Sequence, residues 1–197
     1  TLGIITEVQL RLYGVPEAIS AAVCSFNTLV GAVNTTISTI QMGIPVARIE
    51  LLDEVQVDAI NRFAGFDYDL KPTLFFEFHG TESWVQEQAE MVKEISSEEG
   101  GSDFHWSNRE QERQKLWEAR HNALYAALAL RPGSKGWPTD VCVPISRLAD
   151  CILETRSDIE ESGMIVPLVG HVGDGNFHLL FLIDPDNEEE ELQRYQL

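Results

Sequence analysis

The sequence predicts an α+β fold, a largely antiparallel sheet with helices on one face. Strand-like and helix-like segments alternate in the order strand, helix, strand, repeated with variations about three times. No long, uniform βα rhythm runs through the chain, as a parallel sheet would require. Two short apolar runs, Met164 to Val169 and Phe177 to Ile183, close on a glycine-bearing loop and so pair as a hairpin. Together these features give plait repeats of the ferredoxin-like type. An apolar fraction of 44% supplies a core, and 23% charged residues is ordinary for a globular chain.

From Leu2 to Tyr13, apolar Ile5, Val8, Leu10 and Leu12 recur among polar neighbours, as along a half-buried strand. Ala18 to Phe26 is a second strand. Asn27 can cap the next helix, whose apolar positions Leu29, Val33, Ile37 and Ile40 lie three and four apart. Gly43 ends it, and Pro45 to Leu52 returns as a strand. Asp53 to Phe63 is helical, and a polar, glycine-bearing loop leads to the strand Thr73 to His79. A helix from about Thr81 to Glu98 closes at Gly100-Gly101. Asp103 to Ser107 is a short strand, and Asn108 opens one long helix that ends at Arg131-Pro132-Gly133. Trp137 to Val143 forms a strand, Ile145 to Glu161 a helix, and the hairpin follows. Glu188 onward is helix-like, with no stop signal before Leu197.

Fourteen basic against 32 acidic residues give a net charge of −18. That balance opposes nucleic acid and anionic membrane surfaces as partners. The runs Glu98-Glu99 and Glu188 to Glu191 read as solvated. No apolar run approaches the ~20 residues of a membrane-spanning helix. Cys24, Cys142 and Cys151 are odd in number and lack CxxC spacing, which fits buried thiols in a reducing compartment. With no initial methionine, no targeting segment and a helix-like end, both ends read as cut from a longer chain.

The hairpin loop reads GHVGDGNFH from Gly170 to His178. Gly173 and Gly175 argue against a helix there, so His171 and His178 fall on partner strands. Directly opposed residues share a sheet face, with Cβ atoms roughly 4.5–5.5 Å apart. From that spacing two imidazoles can reach one metal ion at about 2.0–2.2 Å each. The alternative is that Asp174-Gly175 and Asn176 make the turn and the histidines merely end the strands. A catalytic metal would also need a third protein ligand.

The long helix carries the second signal. At about 100° per residue, Leu116, Trp117, Ala123, Leu124, Ala127 and Leu128 form one stripe, with Arg120 near its middle. A guanidinium stays ionised, so an apolar setting demands an anion with planar acceptors. That anion is a ligand carboxylate or, more commonly, a structural Asp or Glu. Arg113 lies nearer the charged helix start and reads as solvated, and His105 and His121 read as surface or packing residues.

GHVGDGNFH resembles the HxGDGNxH signature of the C-terminal domain of FAD-linked oxidases, in the vanillyl-alcohol oxidase superfamily. TLGIITEVQLRLYG is similar to the segment closing that family's flavin-binding domain. LWEARHNALYAALALRPGSKGWPTDVCVPISRL resembles a mitochondrial, cytochrome-linked branch of the same family. The likeness implies that residues 1–15 are the tail end of the FAD-binding domain. It makes residues 16–197 the substrate-and-metal (cap) domain, truncated. The implied reaction oxidises D-lactate, or a related D-2-hydroxy acid, to the 2-oxo acid in mitochondria. Hydride passes to FAD and electrons onward to a cytochrome c-type acceptor. By the same likeness His171 and His178 ligate a divalent metal (zinc or manganese) and Arg120 holds the substrate carboxylate. Asn176 would lie near flavin and substrate, and the backbone of Gly3, Ile4 and Ile5 would touch FAD.

The family's glycine-rich FAD-phosphate segment is expected before Thr1. Its Glu-His-Gly segment, source of a third metal ligand and a base, is expected after Leu197. Expressed alone, the chain is therefore expected to be colourless and inactive. Relatives acting on dicarboxylates carry lysine and tyrosine just before the aspartate matching Asp140. Pro138 and Thr139 stand there here, which favours a monocarboxylate. Two other readings remain open: a sibling enzyme for glycolate or D-2-hydroxyglutarate, and a non-catalytic plait that binds a metal or anion.

Overall fold

The protein's computed structural model describes residues 3–12 and 14–193. Its strands are β1 (Ala18–Phe26), β2 (Val46–Leu52), β3 (Thr73–Gly80), β4 (Gly101–Ser107), β5 (Lys135–Pro138), β6 (Val141–Cys142), β7 (Leu168–His171) and β8 (Asn176–Ile183). They form one sheet in the order β4-β1-β3-β2-β7-β8-β5, with β6 also on β8, and the pairings are antiparallel. The first four strands, ordered 4-1-3-2, are the expected ferredoxin-like plait. The β7–β8 hairpin then joins the free edge of β2.

The helices are α1 (Leu29–Gln41), α2 (Glu54–Ala64), α3 (Glu82–Glu98), α4 (Glu110–His121), α5 (Ala123–Leu130), α6 (Leu148–Ser162) and α7 (Glu188–Gln193). As expected, one face carries the main helical layer. There α1, α3 and α6 bury Val33, Val92 and Ile152 against Leu51, Phe76 and Phe78. The opposite face is not bare, however. Val23, Leu52 and Phe75 take a second, smaller layer from α2, α4 and α5 through Ile60, Trp117 and Ala123. The strands explain it: TLFFEF in β3 is apolar on both sides, so each side needs cover.

Other expectations shift locally. Thr28, not Asn27, caps α1, its Oγ1 accepting the Gly31 N–H at 3.1 Å. The long helix breaks at Asn122 (φ −84°, ψ 0°), which lets α5 lie along α2. The strand Trp137 to Val143 splits into β5 and β6 although its register on β8 is unbroken. Thr139 Oγ1 accepts the Leu179 N–H at 3.1 Å, a bond the backbone carbonyl would otherwise take. Residues 3–12 form no strand, and none of the eight strands pairs with them. Ile4, Ile5, Leu10 and Leu12 are exposed there; Leu2 and Tyr13, and 194–197 at the other end, lie outside the described residues. Of the cysteines only Cys24 is buried, its thiol pushed up to about 11 by that burial, whereas Cys142 is exposed. Among the described residues no helix is long and apolar enough to cross a membrane.

Candidate functional site

The hairpin register corrects the expected histidine pairing. Val169 lies opposite His178, and His171 opposite Asn176, so the two histidines are diagonal rather than directly opposed. The cause is a tight connection: Val172–Asp174 form a single helical turn, and Gly175 follows in the left-handed region (φ +75°). A Cβ at Gly175 would lie 2.1 Å from the Val143 oxygen, so that position has no room for a side chain. Both imidazoles nevertheless share a face, with ring centroids 5.9 Å apart and planes near perpendicular at 87°.

Each ring is held through Nδ1. His178 Nδ1 lies 3.1 Å from the Thr139 carbonyl, the oxygen left over by the Thr139 side-chain bond to Leu179. A carbonyl only accepts, so Nδ1 carries the proton. His171 Nδ1 lies 2.7 Å from Glu50 Oε1. In the neutral rings both Nε2 lone pairs are then free, with Nδ1–H on a carbonyl and a carboxylate, as in metal-binding histidines. His171 and His178 thus offer two donors of the type that a divalent metal takes. Among the described residues no group of three or more His, Cys, Asp or Glu is disposed to hold one, so a third ligand is not found there.

Arg120 sits in the last turn of α4, and its Nε donates to Glu50 Oε2 at 2.9 Å. No hydrogen bond among the described residues uses its Nη1 or Nη2. The structural pairing foreseen for this arginine is thus real, yet it occupies one edge of the guanidinium and spares the fork. Arg120, His171 and His178 line one cavity of about 210 Å³ whose other walls include Leu124, Ala127 and Leu180. Leu124, expected inside the packed stripe, is instead half exposed and forms part of that wall. Gln56 closes a side, fixed by its donation to the Ala123 carbonyl at 2.9 Å.

Asn176 serves the loop itself. Its Nδ2 donates to Asp140 Oδ1 at 2.8 Å and to the Val141 carbonyl at 2.9 Å, tying the hairpin to β6. Gly3, Ile4 and Ile5 are exposed and line no part of the cavity. Arg113 is less solvated than expected, with a buried Nε that has no partner among the described residues. His105 and His121 line separate, more open depressions. Glu50 is the residue the sequence reading missed. In ARIELL, strand alternation sets Glu50 on the face opposite Ile49 and Leu51, and a carboxylate inside a sheet demands a cation.

Residues 15–196 match the family model described as FAD linked oxidases, C-terminal domain. The chain belongs to this family. It is 53% identical over 194 residues to "Probable D-lactate dehydrogenase, mitochondrial" of Danio rerio, covering 98% of this chain and 39% of that protein. Identity to the Arabidopsis thaliana "D-lactate dehydrogenase [cytochrome], mitochondrial" is 42%, over 100% of this chain and 35% of that one. A glycolate oxidase subunit, GlcD of Escherichia coli, is 31% identical, with coverage of 98% and 38%. This oxidase domain thus spans under two fifths of these relatives' length. An alkyldihydroxyacetonephosphate synthase (TM-score 0.64, 13% identity, 93% of this chain and 40% of that one) shares its fold. So does the 4-ethylphenol oxidase of Gulosibacter chungangensis (TM-score 0.64, 13% identity, 95% and 43%).

Proposed function

We propose that this oxidase domain is the substrate-and-metal part of a mitochondrial, FAD-dependent D-lactate dehydrogenase that delivers electrons to a cytochrome c-type acceptor. One observation carries the reading: Arg120, whose fork has no partner among the described residues, lines one small cavity together with His171 and His178. The names of the Danio rerio and Arabidopsis thaliana relatives support the substrate and the compartment, and the latter name supports the cytochrome.

Within the cavity, Arg120 binds the hydroxy-acid carboxylate through Nη1 and Nη2, two parallel charge-assisted bonds. Leu124, Ala127 and Leu180 take the methyl group and keep water from the reacting carbon. A second carboxylate would meet this apolar wall unpaired, which supports a monocarboxylate over D-2-hydroxyglutarate. His171 and His178 would hold the divalent metal, zinc or manganese, on Nε2. When bound, the metal supplies Lewis acidity toward the hydroxyl oxygen, and FAD supplies the acceptor for hydride. Asn176 keeps its Oδ1 toward substrate and flavin, while Gly3, Ile4 and Ile5 offer backbone and exposed apolar surface to FAD. Residues 1–15 then close the flavin domain and 16–197 form the substrate domain, with the third ligand and the base supplied from beyond it.

The test is metal analysis of the complete protein beside its flavin spectrum and a panel of D-2-hydroxy acids. Stoichiometric metal, flavin absorbance and a preference for D-lactate are expected. Preference for glycolate, supported by the GlcD relative, would redirect the substrate assignment. A complete protein without flavin would make this domain a non-catalytic plait.

A further inference from the structure

We propose that Glu50 is a positioning residue that joins the carboxylate-binding arginine and His171, one of the two histidines, into one rigid unit. The inference rests on the function proposed above and deepens it. Glu50 is 4% exposed in the middle of β2, where a carboxylate is costly unless both oxygens are satisfied. Both are, by two different arms of the cavity. Oε1 meets His171 Nδ1 at 2.7 Å, and Oε2 meets Arg120 Nε at 2.9 Å. In each partner Glu50 engages the nitrogen that a ligand would not use. His171 keeps Nε2, and Arg120 keeps its fork.

Three elements distant in sequence, β2, α4 and β7, are thus clamped through one side chain. The clamp sets the His171 tautomer, the plane of the guanidinium and the separation of the two. A neighbouring carboxylate provides an internal contrast. Glu77 on β3 also bridges an arginine and a histidine, Arg48 at 2.7 Å and His79 at 2.8 Å. Arg48, however, stacks 3.7 Å over the Trp117 ring, and none of the three lines the cavity.

Glu50→Gln separates positioning from mere packing. The Arg120 Nε–H can only donate, so the new amide must turn its oxygen to Arg120 and its NH2 to His171. His171 Nδ1 then has to accept, which moves the ring proton to Nε2, the atom the metal would need. The measurement is the 15N spectrum of histidine-labelled, metal-free complete protein at about pH 9, where imidazoles are neutral. An Nδ1–H tautomer is expected for His171 in the parent protein and an Nε2–H tautomer in Glu50→Gln. In the metal-loaded, flavin-bound protein, chelator should strip the metal from Glu50→Gln about 10–100-fold more readily. KM for D-lactate should rise about 10-fold, with a smaller change in kcat.

Glu77→Gln should match the parent in all these readouts. Glu50→Asp, whose shorter stem reaches only one arm, should lose about 10-fold in kcat/KM and covers the case in which Glu50→Gln does not fold. An unchanged tautomer and unchanged metal retention in Glu50→Gln, or parent-like kinetics in Glu50→Asp, overturns the proposal while His171→Ala still loses metal. If His171→Ala itself keeps metal and turnover, the function reading fails instead.

Discussion

Two buried carboxylates lie three residues apart, Glu50 within β2 and Asp53 just past its end, and each holds an arginine from a helix. Their partners differ in how completely they are used. Arg156 on α6 gives Nη1 to Asp53 at 3.1 Å, Nε to Glu160 at 2.9 Å and Nη2 to Glu54. Every nitrogen of that guanidinium is committed within the chain. Asp53 is fully buried and also caps α2, its Oδ1 accepting the Gln56 N–H at 2.8 Å. Among the described residues Arg120 commits only Nε, and it lines a cavity that the histidines share. A buried ion pair alone says nothing about function; an arginine with spare donors beside a cavity is a candidate for one.

The widest gap between the two regions should appear when the histidines are removed. His171→Ala or His178→Ala in the complete protein should lose the bound metal and cut turnover by about 100-fold or more, with FAD retained. Metal analysis and steady-state rates check this; normal metal and rate would erase the contrast. Next comes Arg120→Lys, which keeps the charge but loses the fork. A fall of about 10–100-fold in kcat/KM for D-lactate is expected, mostly through KM, at unchanged flavin content.

The equivalent cut at the other pair should do the reverse. Arg156→Met should leave KM and kcat per folded molecule untouched and cost about 1–2 kcal/mol of stability, read as a lower urea midpoint. The cost stays moderate because Asp53 need not be left charged. Burial, with the charge of Glu54 adding to it, pushes Asp53 from 3.8 up to about 7 against the pull of its hydrogen bonds and Arg156. Asp53→Asn then gives the smallest effect. A carboxyl raised in the folded state binds its proton more tightly there. Its stability contribution is therefore full below about pH 4 and is lost as pH rises through about 7. Asparagine keeps the capping oxygen but cannot titrate, so urea midpoints at pH 5 and pH 8 should differ less than in the parent.

Much of this was legible in sequence because it was local. The glycine loop, the strand-like flanks and the arginine within an apolar stripe are all short-range patterns. The diagonal histidine register was not, because the turn at Val172–Asp174 and the Val143 oxygen against Gly175 decide it. Nor was the break at Asn122, where packing of α5 on α2 overrides helix continuity. Glu50 stayed hidden for a related reason. Its partners are 70 and 121 residues away, beyond the reach of any periodicity. The strand expected before Ala18 had the right alternation, but no neighbouring strand takes up its backbone groups.

The seam at β2 has a consequence for timing. That strand is at once the last rail of the 4-1-3-2 plait and the edge on which the hairpin docks, through Leu51 beside Gly170 and Leu52 beside Val169. A chain emerging from the ribosome can complete the plait with neither histidine yet made. Glu50 and Arg120 then wait on a finished scaffold for the third partner. The hairpin contact is among the most distant in sequence, a pairing of the kind that slows folding through its loop-closure entropy. An unfinished molecule therefore cannot assemble this cavity prematurely, because the hairpin that extends the sheet also brings both histidines to its wall.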